Sequence, residues 1–251
     1  MPDDECEVVL IKTFANPTRF LALIRWVMPT ASVLAVALLA AGLWLAFFGS
    51  PTDYQQGQTV RIMYIHVPAA WMALFVYTSM AAAAFVGLVW KHVVAELYAR
   101  AAAPLGAGFT LICLVTGALW GQPMWGTWWA WDARMTSVLV LFFLYLGYIA
   151  LSDAFDDPQK GINAGAVLLI VGVINVPIIK FSVDWWNTLH QPASVTRMAM
   201  PAVDLSMLWP LVVMAAAFKA LFVALACLRL RTEIQRRRLA VRQMQQAEHA
   251  A

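Results

Sequence analysis

The chain has 251 residues, of which 62% are hydrophobic and only 12% charged, with a net charge of +3. Soluble domains carry about 25% charged residues, so this sequence lacks the charge to clothe a water-exposed surface and reads as an integral membrane protein. Its three cysteines, Cys6, Cys113 and Cys227, are far apart and form no C-x-x-C or C-x-x-C-H; this argues against a thiol oxidoreductase or a c-type cytochrome.

A membrane helix needs about 20 mostly apolar residues. Six runs qualify: 28–48, 64–90, 101–120, 136–152, 162–180 and 206–228. The predicted fold class is an all-α integral membrane protein with six transmembrane helices, forming one transmembrane domain over 1–251. Helices are expected because lipid cannot satisfy open backbone groups. The first run is longer than a signal-peptide core and about 27 residues precede it, so it reads as a span and not a cleaved leader. Residues 19–27 alternate charged and apolar side chains. They suit either a short surface helix or the start of the first span. Asn175 and Pro177 fall inside the fifth run and could break it. Lys219 is an isolated charge inside the sixth. The basic tail, 229–251, is a helix candidate whose charge stops the last span and meets anionic lipid.

Lys and Arg counts set the orientation. With the N-terminus inside, twelve basic residues lie on the inner segments and four (Arg61, Arg134, Lys180 and Arg197) on the outer ones. Both termini are therefore expected to be cytoplasmic. The outer loops are then roughly 49–63, 121–135 and 181–205.

The second of these is a tryptophan-rich outer loop. Residues 120–131 contain Trp120, Trp125, Trp128, Trp129 and Trp131, and the third outer loop adds Trp185 and Trp186. One or two tryptophans at a helix end are an interfacial belt. Five in one connection, with Gly121, Pro123 and Gly126 shaping it and Asp132 and Arg134 following, read as a binding platform for a large, flat, apolar ligand.

Of four histidines, His66 and His190 fall on this outer side, each followed two positions on by a proline, Pro68 and Pro192. A proline there can start a helix and hold the imidazole at a defined angle. Two histidines flanking an aromatic shelf suit the axial positions of haem iron. Zinc is less well served, with half a tetrahedral set and no cysteine on this face, though Asp132 or Asp184 could add to it. A lone interfacial histidine can equally be a satisfied polar residue. Arg61, Arg134, Lys180 or Arg197 could pair with haem propionates or with lipid phosphate and nearby carboxylates.

The stretch WGTWWAWDARMTS, 125–137, resembles the tryptophan-rich WWD signature of haem-handling proteins in cytochrome c maturation. With its length, six spans and flanking histidines, the chain looks like a member of the CcmC family over roughly 10–230. CcmF and CcsA share the signature in longer chains. Met135 stands where leucine is common, a conservative departure. The resemblance implies that haem b is bound transiently at the periplasmic face of the bacterial inner membrane. His66 and His190 match the family's axial ligands, and Trp125, Trp128, Trp129, Trp131 and Asp132 its platform, with Arg134 close by. The implied partners are the haem chaperone CcmE, and CcmA, CcmB and CcmD of an ABC-type release complex; no nucleic acid is expected. The chain has no G-x-x-x-x-G-K-[ST] phosphate loop and no catalytic motif, so it is expected not to be an enzyme. Three rival readings are a solute permease, a b-type electron-transfer protein and a structural subunit whose tryptophan loop docks a protein.

Overall fold

A computed structural model describes residues 16–192, 194–195, 200 and 202–250. Cys6, Lys12 and Arg197 lie outside the described residues. Helices α1 (Pro17–Trp44), α2 (Met63–Trp90), α3 (Val93–Trp125), α4 (Ala133–Ser152), α5 (Pro158–Gly172), α6 (Asn175–Trp185) and α7 (Leu205–Ala250) carry the fold. Among the described residues the only bridge is the isolated Asp53–Gly57 pair. Six helical segments are long and apolar enough to cross a membrane, with α5 and α6 together making one of them. The protein is an all-α, six-span membrane protein.

The helices begin and end where local chemistry dictates. The Asn16 side chain accepts from the Thr18 amide at 2.9 Å and Pro17 takes the first helical position, so α1 starts there. Residues 19–27 are thus the first turns of α1 and not a separate surface helix; Pro29 does not interrupt it. At its far end α1 widens into a π-turn over Leu45–Gly49. A 3-10 turn, Gln58–Ile62, leads into α2. His92 caps α3, its Nδ1 accepting from the Ala95 amide at 3.1 Å. Asp132 and Asp157 cap α4 and α5 in the same way.

Several expected boundaries move. Helix α3 starts at Val93, eight residues before the apolar run, because Glu96 and Arg100 occupy helical positions at the membrane edge. It also runs on to Trp125, so Trp120, Gly121, Pro123 and Trp125 are helical. The tryptophan loop shrinks from 121–135 to 126–132. Gly126, at φ +75, ends α3 in the left-handed conformation that glycine adopts without steric cost. The fifth span does break, at Val173–Ile174 just before Asn175. Asn175 Nδ2 donates to the Ser137 carbonyl at 2.9 Å, tying the break to α4. The basic run after 228 does not stop the last helix. Helix α7 continues through it as one 46-residue helix.

The core lies where α2, α3, α4, α5 and α7 meet. Tyr77 and Tyr145 pack edge to face at 5.1 Å, and the Tyr145 hydroxyl donates to the Ala73 carbonyl at 2.7 Å. Met80, Leu141, Leu169, Leu211 and Met214 surround them, fully buried. A second, smaller cluster (Ile24, Val94, Leu97, Leu230 and Ile234) ties the starts of α1 and α3 to the extended part of α7. Ion pairs stitch the same end: Arg100 with Asp153, Arg100 with Glu233 at 3.6 Å, and Arg237 with Glu96 at 3.8 Å. One end of the bundle is therefore basic and tightly laced, and the opposite end carries the tryptophan-rich loop.

Candidate functional site

His66 sits in the first turn of α2 and faces α3. Its Nδ1 lies 3.1 Å from the Cys113 carbonyl oxygen and 3.1 Å from Thr116 Oγ1. The Thr116 hydroxyl already donates to the Ile112 carbonyl at 2.6 Å, so towards His66 it can only accept. A carbonyl can only accept as well. Nδ1 must therefore carry the proton, which leaves Nε2 with a free lone pair. Gly117 completes the seat. A Cβ there would come within 3.0 Å of His66 Cε1, so the imidazole packs close to bare backbone. The Trp120 ring meets His66 edge to face at 5.6 Å, and the Trp120 indole N–H donates to Gln56 Oε1 at 3.0 Å, anchoring the first loop. Residues 113, 116, 117 and 120 follow helical spacing, so one face of α3 makes this whole surface.

His190 has no helix beneath it. It lies in an irregular segment after α6, where its Nδ1–H donates to Asp132 Oδ2 at 3.0 Å. The other oxygen of Asp132 accepts from the Met135 amide at 2.7 Å, capping α4. The Leu189 amide donates to Oδ2 at 3.3 Å. The Asp132 side chain is only 7% exposed. Here too the acceptor holds the proton on Nδ1 and leaves Nε2 free, the carboxylate–histidine arrangement found behind metal-ligating imidazoles. Burial pushes the His190 imidazole below its ordinary range, against the opposing pull of Asp132, so the ring is neutral near pH 7. The Trp125 ring meets it edge to face at 4.9 Å.

The two H-x-P matches are not equivalent. Pro68 falls in the second turn of a helix already under way, and Pro192 follows an irregular, bent stretch. Neither proline starts a helix at its histidine; hydrogen bonds orient the rings instead.

The tryptophans divide into two kinds. Trp128 and Trp131 are 58% and 78% exposed, and Trp185 and Trp186 also stand open. Trp125 and Trp129 are partly buried. Trp129 packs edge to face on Trp131 at 5.5 Å. Its indole N–H is buried without an acceptor among the described residues, a costly state unless a ligand supplies one. Thr127 orders this turn, its hydroxyl donating to the Trp129 carbonyl at 2.9 Å. Arg134 bridges two helices. Its Nε donates to Ser182 Oγ at 3.1 Å and its Nη2 to the Lys180 carbonyl at 3.4 Å, bracing α4 against α6. Arg61 is likewise engaged, with the Ala46 carbonyl at 3.1 Å and with Gln58.

The donor set suits haem and suits a classical zinc cage poorly. Two neutral imidazoles present Nε2, flanked by indole faces and an unpaired N–H donor. Among the described residues no group of three or more His, Cys, Asp or Glu side chains is placed to hold a metal ion. Cys113, Thr116 and Gly117 were not singled out from sequence as partners of His66. Their i, i+3, i+4 spacing was visible, but nothing local says that this face meets α2.

Comparison with known proteins shows the family. The family model described as "Heme exporter protein C", CcmC, matches residues 10–245. The chain is 57% identical over 237 residues to a heme exporter protein C of Bradyrhizobium diazoefficiens, covering 94% of this chain and 90% of the relative. It is 49% identical over 221 residues to that of Escherichia coli K12, covering 88% and 89%. A putative cytochrome c biosynthesis ccmC-like mitochondrial protein of Marchantia polymorpha is 47% identical over 181 residues, 72% of this chain and 76% of its own. With a family match across nearly its whole length and relatives this similar, the chain belongs to the CcmC family of haem-handling membrane proteins of cytochrome c biogenesis.

Proposed function

We propose that the protein binds haem b transiently at the periplasmic face of the bacterial inner membrane and presents it to the haem chaperone CcmE. His66 and His190 are the axial ligands through Nε2. Trp125, Trp128, Trp129 and Trp131 form the shelf. Asp132 orients His190, and Arg134 holds the α4–α6 junction that carries the shelf. The observation that carries this reading is the matched hydrogen bonding: each Nδ1 is tied to acceptors, so each Nε2 is left as a ligand. The buried Trp129 N–H suits a carboxylate acceptor of the kind that haem propionates supply. Exposure of Trp128 and Trp131 suits a cargo that must leave. The orientation rests on the asymmetry of basic residues. Since the sequence contains no phosphate-binding loop, coupling to ATP falls to CcmA, CcmB and CcmD, and the chain assists covalent haem attachment on its partner without making the bond alone.

The permease reading expects ionisable side chains facing the bundle at mid-depth. Lys219, the charge within the sixth span, instead faces away from it.

The test is an absorption spectrum of the purified full-length chain beside its His66→Ala and His190→Ala variants. Loss of the bound-haem Soret band in each variant is expected. Full retention in both overturns the axial assignment.

A further inference from the structure

Lys219 is unusual in its depth and in its direction. It lies ten residues before Arg229, the first arginine at the basic end of α7, which is about 15 Å at 1.5 Å per residue. That places its backbone near the middle of a hydrocarbon layer about 30 Å thick. A lysine so placed usually extends towards the headgroups. This one does not. Its Nζ sits 3.8 Å from the centroid of the Phe75 ring, on α2, and Phe75 is also mid-span, twelve residues from the start of its helix. The Phe75 ring is fixed edge-on by buried Phe222 at 6.0 Å. Lys219 and Phe75 are both exposed on the outside of the bundle, in line with Val212 and Ala216 on α7. Among the described residues no carboxylate pairs with Lys219.

An ammonium on the lipid-facing side at mid-depth is costly, and one aromatic face offsets only part of that cost. We infer that the α2–α7 face around Lys219 docks a transmembrane helix of a different polypeptide, one that carries an aspartate or glutamate at mid-membrane depth. Charge complementarity identifies the occupant. A second copy of this chain does not qualify, because none of the six apolar runs contains an Asp or Glu. The Phe75 ring holds the ammonium in place beforehand, so little side-chain order is lost on docking.

The experiment uses the full-length chain in its native membranes, with a photo-reactive diazirine lysine analogue at position 219 and, as control, at exposed Val167 on α5. The expected adduct at 219, absent at 167, is a transmembrane peptide with a carboxylate within one helical turn of the linked residue. Lys219→Met leaves the chain folded, since it removes a charge from lipid, yet lowers recovery of that partner about tenfold, whereas Lys219→Arg retains it. Lys219→Glu also loses the partner, and exchanging the partner's carboxylate for lysine restores it. Adducts to phospholipid alone, no polypeptide adduct, a linked helix without a carboxylate, unchanged recovery with Lys219→Met, or failure of the reciprocal exchange would each overturn the proposal.

Discussion

The two histidines share one electronic arrangement and differ in mechanical support. His66 is built into a helix and seated on four consecutive helical contacts of α3: a carbonyl, a hydroxyl, a glycine and an indole. His190 hangs from an irregular segment by one carboxylate and one indole edge. Helix-borne groups hold their geometry more firmly than loop-borne ones. Under the proposed ligation, one axial ligand is a permanent part of the bundle and the other can withdraw with its segment. On the proposed function, in which haem is held and then surrendered, that inequality is an advantage.

The comparison can be broken most decisively by removing each ring and supplying it from solution. His66→Gly and His190→Gly should each lower haem affinity by more than the roughly 10–100-fold typical of losing an outer partner. Added imidazole should restore the Soret band of the His190 variant, whose ring is carried by an irregular segment with no helix beneath it. It should fail with the His66 variant, whose site is closed by α3. Equal rescue of both would erase the distinction. A step smaller, Asp132→Asn should keep α4 intact, because asparagine caps a helix as well as aspartate does, while weakening haem binding about 10-fold or more. Asp132→Ala should add a stability loss of about 1 kcal/mol from the missing cap. If the Asn variant holds haem as the parent does, the carboxylate is not what orients His190.

Gly117→Ala sharpens the other side of the comparison. Its methyl would crowd His66 Cε1, and overpacking of this kind costs about 1–3 kcal/mol. A lower melting temperature with a shifted Soret band is expected, and an unchanged spectrum would show that the seat is loose. The smallest effect is on pH. Because burial lowers the affinity of His190 for a proton, its neutral form persists further into acid than a free imidazole does. The Soret band should hold steady from pH 8 down to about 6.5, the ordinary histidine value, and decline only below it. A collapse already near pH 7 would mean that the His190 segment is not buried in solution.

The six spans were legible because apolar runs of membrane length have few alternatives. Their ends were less so. Residues 93–100 and 121–125 are helical although their composition is mixed, and the real stop of α3 is the left-handed turn at Gly126. A hydropathy reading counts apolar side chains, whereas a helix ends on backbone conformation. At the candidate site the unusual residue types were visible: Trp128, Asp132, His66 and His190 stand out in any composition. Their connections were not. The Cys113 carbonyl that sets the His66 tautomer belongs to the main chain, so the residue's identity says nothing about it. The contacts of Arg134 with Ser182 and the Lys180 carbonyl, which brace α4 against α6, are likewise invisible in the sequence.

Asp132 divides its two oxygens between the Met135 amide and the His190 imidazole. Folding of the first turn of α4 and positioning of a distant loop are thereby thermodynamically linked. Anything that pulls on His190 must be felt at the Met135 amide, whose exchange with deuterated solvent becomes a remote gauge of whether the site is filled.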